Sequence, residues 1–150
     1  MRKFETGATR DTDTGKLDYE GFLSPFAEQR FAEYMHKNRR QADGQMRDSD
    51  NWQKGIPLEA YMKSWHRHFM AVWKSWRLFK GGVLSFEAFS AQVEDDLCAT
   101  KFNNNGFLHE IVIARVAREL GCPIRPQEAL AVPVPRSVRR SVRRSRRKAR

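Results

Sequence analysis

At 150 residues the chain has room for one domain around one modest core, because chains of this size bury too small a share of their surface to support two. The formal charge of +10 is unevenly spread: residues 136–150 carry nine Lys or Arg and no acid, leaving 19 basic against 18 acidic side chains elsewhere, which excludes a strongly basic folded body. Cys98 and Cys122 have no CxxC or Cys/His spacing near them, which excludes a zinc motif; no apolar run reaches the ~20 residues of a membrane span, so no membrane partner is expected.

The polar start, Met1 to Arg10, speaks against secretion, and a reducing cytoplasm is the expected location. From Met1 to Gly21 the chain is dense in Gly, Thr and Asp and reads as a loop-rich arm. Ser24 followed by Pro25 marks a helix start, since serine caps and proline loses nothing in the first turn. A first helix from about Pro25 to Arg39 carries Phe26, Phe31 and Met35 and ends in His36, Lys37, Arg39 and Arg40, which suit a helix C-terminus. The polar stretch Gln41 to Pro57, with Gly44, Gly55 and Pro57, reads as a long loop.

The second helix, about Pro57 to Lys80, is the clearest: Leu58, Tyr61, Met62, Trp65, Phe69, Val72, Trp73, Trp76 and Phe79 recur at helical spacing until Gly81 and Gly82 end it. A third helical region runs from about Ser85 to Leu120, with the run Asn103, Asn104, Asn105, Gly106 as its weak point, and Gly121 and Pro123 stop it. The architecture expected is all-α, a small helical domain over residues 1–130. The sequence AVPVP and the arginine repeats of 131–150 cannot bury apolar surface and read as a disordered basic tail.

With Trp65 at the centre of the second helix's apolar stripe, His68 lies about 60° to one side at 100° per residue. It sits at the border of core and groove, with Ser64 and Ser75 on the same flank. A border histidine that hydrogen-bonds a neighbour explains the position as well as a catalytic one does. Asp96, Asn103 and Glu110 recur every seven residues and drift only ~20° per step along one stripe. Ala99 and Gly106 leave space between them. Such a stripe, with Glu94 and Asp95 beside it, is either a solvated face or a set of oxygen ligands for a hard divalent cation. The loop residues Asp48 to Trp52, then Lys54 and Gly55, mix hydrogen-bonding groups with one aromatic plate that can meet a base or a sugar, as an ordinary Ω-loop also does. Asp13 to Tyr19 lacks the spacing of a P-loop.

Asp13-Thr-Gly-Lys16-Leu-Asp18-Tyr19, Asn51-Trp52-Gln-Lys-Gly55-Ile56-Pro57, Tyr61 and Ser64 leading to Arg67-His68, and Asp96-Leu97 followed by Asn103 form an ordered series. The series resembles the phage dATP/dGTP diphosphohydrolase N-terminal domain family over roughly residues 9 to 115, and suggests kinship in chemistry to the all-α NTP pyrophosphatases. The resemblance implies hydrolysis of a purine deoxynucleoside triphosphate to monophosphate and diphosphate with a divalent metal, magnesium, manganese or cobalt, and, for a phage protein, work in the host cytoplasm. Two departures accompany it: Asp96 and Ala99 stand where many relatives carry histidine, and the E-E-x-x-E signature of the wider group is absent.

Under that implication His68 and Arg67 act on the phosphates, and Glu94, Asp95, Asp96 and Glu110 hold the metal. Lys16, Asn51, Trp52, Lys54 and Asn103 contact the substrate. The rival expectation is a non-enzymatic nucleic-acid-binding or adaptor protein, in which Arg139, Arg140, Arg143, Arg144, Arg146 and Arg147 neutralise phosphates of any polyanion without reading sequence. Four tryptophans, three of them on one helix, lead to the expectation of a homo-oligomer.

Overall fold

The computed structural model describes residues 1–121 as an all-α domain; the basic tail with its arginines, Cys122 and the domain boundary at 130 lie outside the described residues. The arm forms a two-residue antiparallel pairing, β1 (Arg2–Lys3) with β2 (Thr9–Arg10), and one short helical turn, α1 (Tyr19–Phe22), capped by the Asp18 carboxylate accepting from Gly21 N–H at 2.9 Å. Helix α2 (Pro25–Lys37) starts where Ser24 and Pro25 predict, with Ser24 Oγ accepting from Ala27 N–H. It ends two residues before the expected Arg39. The loop that follows is folded back by an antiparallel bridge between Arg40 and Met46, and holds a 3-10 turn at Asn51–Lys54.

Helices α3 (Leu58–Lys80) and α4 (Phe86–Leu120) form an antiparallel hairpin, and their pairing is the principal interface of the domain. Stacking of Phe79 on Phe89, ring centroids 4.9 Å apart, closes the turn between them. Ser85 caps α4 through Ala88 N–H, and Gly121 ends it in the left-handed conformation (φ 65°) that lets its N–H reach the carbonyl of Arg118.

The expected weak point of α4 is intact: the helix runs unbroken through the asparagines. Asn103 is 4 % exposed, and its amide donates to the carbonyl of Ala99 one turn back and to Ser64 of α3, so the side chain that normally competes with helical backbone is used up inside the interface. Gly106 is required by packing, because an added Cβ would lie 2.3 Å from the Tyr61 ring. Tyr61, only 1 % exposed, lies across α4 at that notch. Among the described residues the other buried apolar side chains are Val93, Cys98 and Ala99, a short inventory for helices of this length.

Substituting Gly106 by Ala removes the helical cost of glycine, a gain of ~1 kcal/mol. It also forces the Tyr61 ring from its seat, and overpacking of this kind costs ~1–3 kcal/mol. The expected outcome is a net loss of stability, read as a lower midpoint in urea denaturation with an unchanged m-value.

Candidate functional site

The α3–α4 interface is a polar seam as well as an apolar one. Each step toward the N-terminus of α3 is matched by a step toward the C-terminus of α4: Ser75 meets Gln92 at 3.2 Å, His68 meets Asp96 at 2.7 Å, Ser64 meets Asn103 at 3.2 Å, and Tyr61 meets Gly106. Glu110, buried at 1 % exposure, lies one turn farther along the same stripe of α4. A carboxylate only accepts, so Asp96 assigns the proton of His68 to Nδ1 and leaves Nε2 as the nitrogen free of that bond. Such a pair can orient an imidazole for proton transfer or simply join two helices.

Glu94 and Asp95 have different work. Arg30 of α2 donates through Nε to Glu94 at 2.9 Å and through its second nitrogen to Asp95 at 2.5 Å, while Lys37 pairs with the other oxygen of Asp95. Lys101 of α4 returns the interaction to Glu28 of α2 at 2.5 Å and lies over the Phe31 ring. Helix α2 buries no residue completely, and these part-exposed charges help to orient it on α4. The Arg30 guanidinium is held protonated well above its ordinary value by Glu94 first and Asp95 second, and Asp95 is pushed below its ordinary value by Lys37 and then Arg30. Burial pushes the Cys98 thiol up, keeping it an S–H that approaches the Arg30 carbonyl at 3.9 Å.

Between the C-terminal half of α2, the loop and the middle of α4 opens a cleft of about 770 Å3, a size typical of small-molecule sites. Arg39, Arg40 and Arg47 lie on one part of its wall. They are gathered by backbone: Arg39 Nε donates to the Arg47 carbonyl at 2.7 Å, Arg47 N–H donates to the Arg39 carbonyl at 3.0 Å, and Arg40 belongs to the bridge with Met46. Among the described residues none of the three closes an ion pair, although Asp48 shares the lining. Elsewhere in the lining stand Tyr34, Asn51, Trp52 and Asn105. Trp52 is seated edge-on against His109 of α4, ring centroids 4.8 Å apart. Burial, then the nearby Asp95, raises the Tyr34 hydroxyl above its ordinary value and keeps it a neutral donor.

The expected site residues therefore separate. Asn51 and Trp52 line the cleft; Lys54 donates to Asn51 Oδ1 at 3.3 Å just beside it. His68, Asp96 and Asn103 belong to the seam, and Arg67 is exposed on α3. Lys16 lies exposed in the arm, with its backbone N–H turned onto the Asp13 carbonyl. The four carboxylates assigned to a metal are not brought together: two face α2, one faces His68 and one is buried a helical stretch away. Among the described residues no group of three or more His, Cys, Asp or Glu is arranged to hold a metal ion. The arginine cluster is not legible from sequence spacing. Its only trace in the sequence was the basic end of the first helix followed by a glycine-containing loop short enough to return Arg47 to it.

Asp95 gives α2 docking a defined acid limb. A carboxyl whose folded value is depressed contributes stability that is complete above its unfolded value and is lost as pH falls through the folded one. Its side chain is about half exposed, so the contribution is small and screened by salt. Hydrogen exchange of α2 amides is expected to accelerate relative to α3 on acidification below the ordinary carboxylate range, and Asp95→Asn is expected to flatten that dependence while leaving α2 faster at neutral pH.

Among the described residues no helix is long and apolar enough to cross a membrane. Comparison of the chain with protein-family models, curated proteins and solved structures found no match.

Proposed function

We propose that this chain binds a purine deoxynucleoside triphosphate in the cleft between α2 and α4 and hydrolyses it to monophosphate and diphosphate. The observation that carries the reading is the cleft's pairing of an arginine cluster, without carboxylate partners among the described residues, with an aromatic and amide wall. Arginines present planar donors that match phosphate oxygens. Trp52 and Tyr34 offer faces for a base, and the amides of Asn51 and Asn105 offer both donors and acceptors to its edge. The cleft's lining supports an aromatic base joined to a polyphosphate; the purine, the deoxy sugar and the products come from the family resemblance.

In hydrolysis a water oxygen bonds to phosphorus, the bridging P–O bond breaks and diphosphate leaves with its electron pair. The arginines spread the charge that accumulates on the phosphoryl oxygens. His36, on the cleft wall, takes the proton of the attacking water. His68 then has a positioning role, fixing the α3–α4 register through Asp96. No step is assigned to a metal; magnesium, manganese and cobalt enter the test as counter-ions of the substrate. The active form is a cytoplasmic homo-oligomer.

A second reading is favoured by the composition of residues 136–150: a non-enzymatic protein that holds nucleic acid or another polyanion through this segment.

Purified full-length chain is to be titrated with each deoxynucleoside triphosphate, with and without the three divalent ions, and the products resolved by chromatography. Loss of one charge-assisted phosphate contact costs ~1.5–3 kcal/mol, so Arg40→Ala and Arg47→Ala are each expected to weaken binding about 10- to 100-fold. His36→Ala is expected to lower turnover with less effect on binding, and deletion of residues 135–150 to leave both unchanged. Absence of turnover with every substrate and ion, together with salt-sensitive DNA binding that disappears on that deletion, would make the second reading the correct one.

A further inference from the structure

Helix α3 divides its circumference into three faces. Ser64, His68 and Ser75 meet α4 along the polar seam. About a third of a turn away Phe69, Trp73 and Trp76 stand exposed, between 41 % and 51 % each. A further third of a turn round, Lys63, Arg67, Lys74 and Arg77 lie within about 80° of one another along ~21 Å of helix. All four are exposed, and among the described residues none of them closes an ion pair. From Ala60 to Lys80 the helix carries no acidic residue. Outside residues 136–150 the chain is nearly neutral in sum, so this face is a local segregation of charge: Glu94 and Asp95, for example, are turned to α2.

We infer that the outward face of α3 binds single-stranded nucleic acid, its cations taking backbone phosphates and the rings of Phe69, Trp73 and Trp76 taking unpaired bases. The complementarity is twofold. A single strand is a row of phosphates with a row of flat bases beside it, and α3 offers a row of cations with a row of rings beside it, a pairing that holds strands without reading their sequence. Phe69 and Trp73 are neighbours with ring centroids 6.3 Å apart, and Lys80 Nζ stands 5.8 Å from the centroid of the Trp76 ring, so charge and aromatic surface meet along the helix. A duplex keeps its bases paired and offers the rings nothing to stack on. An acidic peptide supplies the charge without the plates. An anionic membrane attracts cations too, but a helix lying in one buries a purely apolar crest between charged flanks. The crest of α3, opposite the seam, runs instead through His66, Trp73 and Arg77. Among the described residues no side chain of α3 lines the cleft, and the surface lies outside residues 136–150, so the inference depends on neither reading above.

The full-length chain is to be titrated by anisotropy with a labelled oligothymidylate over a series of salt concentrations, beside Lys74→Ala and Trp73→Ala, with circular dichroism as the control for folding. Lys74→Ala is expected to lower the slope of log affinity against log salt by about 0.7, the share of one phosphate contact on a single strand. Trp73→Ala is expected to weaken binding about fivefold or more at an unchanged slope, and to leave binding of a duplex of the same length as it was. Irradiation of the wild type with an iodouracil-substituted oligonucleotide is expected to cross-link Phe69, Trp73 or Trp76. Absence of oligonucleotide binding overturns the inference, as do two folded variants with wild-type affinity and slope, or cross-links that all fall outside α3. Binding of poly-glutamate or phosphatidylglycerol vesicles in place of the oligonucleotide overturns it as well. If one variant unfolds, the other and the cross-link decide. Nucleotide binding and turnover at the cleft are expected to be unchanged in Lys74→Ala, so a failure of this surface is distinguishable from a failure of the proposed hydrolysis.

Discussion

The contact on which the rest of the domain depends is the close approach of α3 and α4 at Tyr61 and Gly106. A ring seated where a Cβ would lie 2.3 Å away brings the helix backbones together, and only then can short polar side chains bridge them. Serine and asparagine reach across at Ser64 and Asn103; histidine and aspartate do so at His68 and Asp96. These bonds satisfy groups that burial would otherwise penalise, and they allow one register, because a slip by one residue would leave each of them unpaired. With few fully buried apolar side chains among the described residues, register here comes from polar matching as much as from hydrophobic volume.

Charge is used in two distinct ways around that hairpin. Along α2, Arg30 and Lys37 are paired with Glu94 and Asp95, and Glu28 with Lys101, so charge helps to orient a helix with no fully buried residue. Past the end of α2 the pattern changes. The Arg39 guanidinium donates through Nε to the Arg47 carbonyl and the Arg47 backbone N–H donates to the Arg39 carbonyl, which brings the two residues together without pairing either charge with a carboxylate among the described residues. Among the described residues the cations of this cluster have no carboxylate partner and share the cleft lining with Trp52 and Tyr34, whereas the paired cations of α2 serve as fasteners.

The same distinction separates the carboxylates. Sequence periodicity groups Asp96, Asn103 and Glu110 on one stripe of α4; the structure turns Asp96 and Asn103 to α3 and buries Glu110 farther along. A shared stripe is a statement about one helix, and ligand geometry is a statement about several elements. Asp96 meets an imidazole, Asn103 meets a hydroxyl and Glu110 is buried, while their neighbours Glu94 and Asp95 turn to α2. Among the described residues no three such groups are gathered as metal ligands would be.

By itself the sequence determined the all-α class, the starts of the three long helices, the stop at Gly121 and the flank shared by Ser64, His68 and Ser75, because caps, breakers and a 3.6-residue period act within a few residues of one another. The continuity of α4 through its asparagines was not legible, since the local preference of asparagine for turns is overridden by a hydrogen bond to a residue of another helix. Nor was the cleft. The juxtaposition of Arg39 with Arg47 requires the loop to fold back on itself, and that of Trp52 with His109 requires the loop to dock on α4. Local sequence specifies which face of an element is apolar; only the tertiary structure decides which faces meet, because that choice depends on packing, register and charge pairing between segments distant along the chain.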